Sequence, residues 1–136
     1  MKIYISGKIG EKVISEATRR KFAKAEEMLR AKFGEDATVI NPASEEFSRY
    51  LDIHFRSLGF RPEYKDILLY DLNWLCTCDS IYMLADWEKS DGANVELDFA
   101  RASGKKILWE NEEDAKVFAD DADNYIDVWI PIEEKP

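Results

Sequence analysis

The sequence predicts an α/β domain built on a mainly parallel, five-stranded sheet. Three observations lead there. Short runs rich in β-branched, aliphatic and aromatic residues alternate with stretches of helical period along the chain, the pattern of βα units. One of these runs, SIYMLAD, is almost continuously apolar, as expected of a central strand covered on both faces. The length of 136 residues suits one domain spanning residues 1–136 and is short for two.

The elements follow in order. KIYIS, residues 2–6, is a short strand ended by Gly7. From about Ser15 to Phe33 a helical pattern runs through Ala17, Phe22, Ala25, Leu29 and Phe33, and Gly34 is placed to stop it. ATVIN is the second strand, closed by Asn41-Pro42, and an irregular, partly helical stretch continues to about Tyr64. A helix from about Pro62 to Cys76 is apolar nearly all round, which predicts burial on several sides. SIYMLAD is the third strand, and SDGANVELDFA opens the next helix. KKILWE supplies a fourth strand, Glu112 to about Ala119 a helix, and IDVWI a fifth strand.

Composition narrows the function. Hydrophobic residues make up 46% of the chain, so a packed core is expected rather than disorder. The formal net charge of −9 argues against a nucleic-acid polymer as partner, because phosphate backbones recruit lysine and arginine. A small anionic ligand remains compatible, since backbone amides suffice to hold it. No stretch approaches a membrane span or a signal peptide, so a cytoplasmic location is expected. Cys76 and Cys78 are the only cysteines and His54 the only histidine. Buried free thiols are expected, with no metal site and no Ser-His-Asp or Cys-His mechanism. Any chemistry must therefore run on carboxylates and hydroxyls.

One acid stands out. At about 100° per residue, Ala93, Val95, Leu97, Phe99, Ala100 and Ala102 form one arc, and Asn94, Asp98 and Arg101 the opposite side. Glu96 falls near the middle of the apolar arc, where an unpaired carboxylate costs several kcal/mol. It must find partners, a raised pKa or a wet cleft. Asp71 sits in the same way between Ile67, Trp74 and Leu75, and two such carboxyls suggest an acid and a nucleophile tuned apart by their environments. In parallel sheets ligands bind beyond the carboxyl ends of the strands, where SGKIG, NPAS and DWEKSDG meet. Gly7, Lys8, Ile9 and Gly10 therefore form one candidate binding loop, and Asp86 and Trp87 line another part of the rim. Ser90 is a good N-cap, and its hydroxyl and the amides of Asp91, Gly92 and Ala93 are equally placed to receive a phosphate.

KIYISGKIG, VINP and DLNWLCTCDSIYMLADWEKSDGANVELDFA together resemble the nucleoside 2-deoxyribosyltransferase-like superfamily, which includes 5'-monophosphate N-glycosidases. The resemblance covers most of the chain up to about Lys106. It implies a flavodoxin-like or Rossmann-like three-layer sandwich, and homo-oligomers whose sites a neighbouring subunit often completes; Asn124 and Tyr125 are candidates for that contribution. It also implies that Glu96 is the nucleophile, Asp71 the acid serving the departing base, and Tyr4 the hydroxyl that orients Glu96. Ser90 matches a phosphate-contacting serine of the monophosphate glycosidases, where free-nucleoside transferases usually carry an aspartate. Lys8 and the acidic Asp86-Trp87-Glu88 depart from the family pattern. The expected function is cleavage or transfer at the N-glycosidic bond of a nucleoside or its 5'-monophosphate, with no cofactor. The alternative is a non-catalytic nucleotide-binding or sensing domain on the same fold.

Overall fold

Strand β1 (Lys2–Ser6) divides its side chains by parity. Ile3 and Ile5 face one way, packing with Phe22, Ala25 and Leu29 of helix α1 (Glu16–Phe33), while Tyr4 joins the opposite cluster. Strands β2 (Thr38–Ile40), β3 (Ser80–Met83) and β4 (Lys106–Trp109) complete an all-parallel sheet in the order β2-β1-β3-β4. Its second face carries Ile81, Met83 and Trp109 beneath helices α3 (Tyr64–Cys76) and α4 (Asp91–Ala102). Helices thus cover both faces, the architecture expected of a flavodoxin-like α/β layer structure. The computed structural model describes residues 1–10, 13–118 and 125–132.

Among the described residues the sheet has four strands rather than the expected five. Of IDVWI, Ile126 to Val128 lie in a short helix, α6 (Tyr125–Val128), and only Trp129 makes an isolated parallel bridge to Trp109. The Ile130 amide still bonds to the Trp109 carbonyl, but Pro131 has no N–H to carry a ladder onward. The apolar residues that read as a strand are used instead to cover the sheet edge, where Ile130 joins the α1-side core.

The stretch read as irregular and partly helical contains a complete helix, α2 (Glu45–Leu58). Ser44 caps its start by accepting the Phe47 amide, and Gly59 ends it in the left-handed region at φ 80°. Phe47 and Phe55 anchor α2 against Tyr70 of α3 through edge-on and tilted ring contacts. Helix α3 is less enclosed than its composition suggests. Leu75 alone is fully buried, and Leu69 and Tyr64 are each 61% exposed. Cys78 is buried as expected, whereas Cys76 is exposed.

The chain winds outward from β1 to β2, then returns to build β3 and β4 on the other side. The direction of winding reverses between β1 and β3, which is where α/β sheets of this kind open their ligand crevice. Gly7, just beyond β1, lies against Leu84, just beyond β3. A Cβ at Gly7 would stand 2.7 Å from Leu84 Cδ1, so the close approach of these two chain segments requires glycine.

Candidate active site

Glu96 lies in the second turn of α4, which starts at the β3 side of the reversal point. The helix is set by Ser90, whose hydroxyl accepts the Ala93 amide at 3.1 Å, and by Asn94, whose side-chain amide donates to the Ser90 carbonyl at 2.8 Å. With the helix so fixed, Ala93, Glu96, Leu97 and Ala100 form its buried stripe, and Val95 turns outward. Glu96 is only 6% exposed.

The cost of burying this carboxylate is offset by two hydroxyls from β1. Tyr4 donates to Glu96 Oε2 at 2.6 Å, and Ser6 donates to Oε1 at 2.8 Å. Residues two apart on a strand share a face, so one turn of pleat delivers both donors to one carboxylate. Ser6 was not singled out in the sequence. The signal that finds it is its position two residues after Tyr4, on the same side of β1.

Asp71 approaches from α3. Its Oδ1 is shut off from solvent and has no hydrogen-bond partner. Burial pushes its pKa up to about 8, and the charge of Glu96 adds to the rise. Burial also raises Glu96, but the Tyr4 and Ser6 hydroxyls pull it back, leaving it at about 7. The two acids therefore differ in kind. Glu96 has donors that favour its ionised form, whereas Asp71 has none and keeps its proton longer. Tyr4 is itself driven well above the ordinary phenol range, first by burial and then by Glu96, so it stays a hydrogen-bond donor.

Tyr64, unnoticed in the sequence, stands at the mouth. Its oxygen would lie 2.8 Å from a Cβ at Gly92, so glycine at that position leaves room for it. Tyr64 and Asp71 lie two helical turns apart on α3 and share a face toward α4. A further candidate, Ala93, is buried in the wall behind Glu96.

Other candidates form a separate brace. Asp86 accepts the Lys8 amide at 3.1 Å and pairs with Lys21 of α1 at 2.5 Å, while Lys21 also donates to the Lys8 carbonyl. Ile9 packs on the α1-side core, and Gly10 turns the loop at φ 59°. Trp87 is buried edge-on against Trp109 and donates its indole N–H to Asp114. These contacts tie the β1 and β3 loops to α1 and α5 (Glu112–Phe118), and none of them reaches Glu96. Tyr125 begins α6 and packs at the edge of the α4-side core; Asn124 lies outside the described residues.

His54 packs edge-on against Phe55 and at a tilt against Tyr70, with no hydrogen bond to either acid among the described residues. Among the described residues no group of three or more His, Cys, Asp or Glu side chains is arranged to hold a metal ion, and no helix is long and apolar enough to cross a membrane. The arrangement offers one buried, hydroxyl-held carboxylate and, close enough to feel its charge, a second carboxyl that burial disposes to keep its proton.

Searches of curated proteins and of solved structures each returned no match. A family profile described as a domain of unknown function, DUF4406, matches residues 1–109, the segment holding all four strands, Tyr4, Asp71 and Glu96. The chain belongs to the DUF4406 family.

Proposed function

We propose that the protein cleaves or transfers at the N-glycosidic bond of a nucleoside or its 5'-monophosphate, with Glu96 as nucleophile. The observation that carries this reading is a buried carboxylate held at both oxygens by hydroxyls, together with a second carboxyl, Asp71, whose Oδ1 is buried without a hydrogen-bond partner. A protein that only binds nucleotides gains nothing from placing two acids where both resist ionisation.

In the reaction, a Glu96 oxygen forms a bond to the anomeric carbon as the bond from that carbon to the base nitrogen breaks. The Asp71 proton passes to the departing base, which leaves neutral, and Asp71 becomes the carboxylate. Water then attacks the anomeric carbon, its proton returns to Asp71, and the bond to Glu96 breaks with both electrons returning to the carboxylate. A second base in place of water gives transfer. Tyr4 and Ser6 fix the carboxylate in line and favour its ionised form against the pull of burial. The chemistry needs no cofactor.

The reading includes a homo-oligomer. Tyr50 and Ile53 of α2 and Leu69 of α3 expose large apolar surface, which a second copy would cover.

The test is chromatography for free base after incubation with a panel of deoxynucleosides, ribonucleosides and their monophosphates. Release by the native protein and its loss in Glu96→Gln, with an unchanged circular dichroism spectrum, supports the proposal. Equal release by the variant overturns it. Thermal stabilisation by a nucleotide with no product at any concentration supports the binding-only alternative.

A further inference from the structure

The first turn of α4 ends at the same mouth as Glu96, and its amide donors are the natural place for an anionic group of a substrate. One of those donors is already hydrogen-bonded and a second is covered. The Ala93 amide is capped by the Ser90 hydroxyl at 3.1 Å, and the Gly92 amide faces the oxygen of Tyr64, which reaches across from the first turn of α3. The fit is close, since even a methyl group at Gly92 would collide with that oxygen at 2.8 Å. The carboxylates of Glu96 and Asp91 act on the same Tyr64 oxygen and would act on any phosphate that replaced it. Most of the Tyr64 side chain is open to solvent, so little of the core depends on it.

We propose that Tyr64 is a specificity-determining residue whose hydroxyl takes the place of an anion at the start of α4, so that the site accepts an uncharged nucleoside in preference to its 5'-monophosphate. This rests on the N-glycosidic reading for the substrate class but not for the physical effect. A neutral sugar hydroxyl can share the Tyr64 oxygen as a hydrogen-bond partner. A phosphate must displace it to reach the Gly92 amide and then lie beside the Glu96 and Asp91 carboxylates, with the Ala93 amide still committed to Ser90. The serine at position 90 then acts as a helix cap rather than as a phosphate ligand.

The experiment compares native protein with Tyr64→Ala and Tyr64→Phe. Relative kcat/KM for a nucleoside and its monophosphate is measured, and calorimetry with inorganic phosphate is run on the same samples. The native protein favours the nucleoside, and Tyr64→Ala narrows that preference by about tenfold or more, through faster use of the monophosphate. Tyr64→Phe, which keeps the ring but frees the amide, falls between the two. In calorimetry Tyr64→Ala binds phosphate about tenfold more tightly than native protein. A native preference for the monophosphate, or an unchanged ratio in Tyr64→Ala, overturns the proposal. If the native protein cleaves neither compound, the N-glycosidic reading fails and the phosphate titration alone decides: tighter binding in Tyr64→Ala sustains the Tyr64 assignment, and equal binding removes it.

Discussion

Replacing Asp71 by asparagine removes one titrating proton at nearly constant shape, and the consequence for stability can be worked out. The Asp71 pKa rises from 3.8 to about 8 on folding, first through burial and then through Glu96. A carboxyl with a raised folded pKa gives its full stabilisation below the unfolded value and loses it as pH rises through the folded value. Between those limits the native protein loses up to ~1.4 kcal/mol per pH unit relative to a variant without the group. From pH 5 to pH 8 the ceiling is ~4 kcal/mol. An interior that polarises and admits some water behaves as a higher dielectric and brings this to about 2 kcal/mol. The new amide also loses hydrogen bonds to water, by about 1–3 kcal/mol, but that cost is the same at every pH. The quantity to read is therefore the change in the melting-temperature difference, variant minus native, between pH 5 and pH 8. At about 3 °C per kcal/mol for a chain of this size, it should grow by about 6 °C in favour of Asp71→Asn. Differential scanning calorimetry in matched low-salt buffers measures it. A difference that stays flat across this range, or moves in favour of the native protein, means that Asp71 is ionised when folded and refutes the division of roles between the acids.

Further outcomes follow from the same geometry. Turnover should peak between pH 7 and pH 8, falling on the acid side as Glu96 gains a proton and on the alkaline side as Asp71 loses one; a pH series of kcat with a buffer-independent readout checks this. Tyr4→Phe removes a donor that lowers the Glu96 pKa, so the acid limb should move to higher pH and kcat fall by about tenfold or more, read from the same series. Gly7→Ala should destabilise the protein by about 1–3 kcal/mol in urea unfolding, because its methyl group overlaps Leu84 unless the β1 and β3 segments part.

The most local features were the most legible. Glu96 could be found because the helical period alone assigns it to the buried arc, and the burial is observed. Tyr4 was reached through the family resemblance, and Ser6, which does equal work on the carboxylate, required applying the two-residue period of β1 as well. The Asp86 pairing with Lys21 joins residues far apart in the chain, and no pattern near Asp86 announces that α1 will claim it. The same holds for Tyr64, whose role depends on the packing of α3 beside α4 and on glycine at position 92. IDVWI misled because a few apolar residues before a proline look alike in a strand and in a short capping helix, and only the sheet edge decides between them. Helix α2 was read only in part: its amphipathic period was visible, and Ser44 and Gly59, which mark its two ends, were not used to bound it.

The most direct test is a covalent trap. Fluorine at the sugar 2' position of a nucleoside destabilises the oxocarbenium-like transition state for hydrolysis of a glycosyl-enzyme ester, so the ester accumulates once formed, and intact-protein mass spectrometry after rapid acid quench detects the adduct. The account predicts a mass increase equal to the fluorinated sugar, mapped by peptide digestion to Glu96 and absent from Glu96→Gln. Continued release of base with no adduct, or an adduct on any other residue, contradicts it.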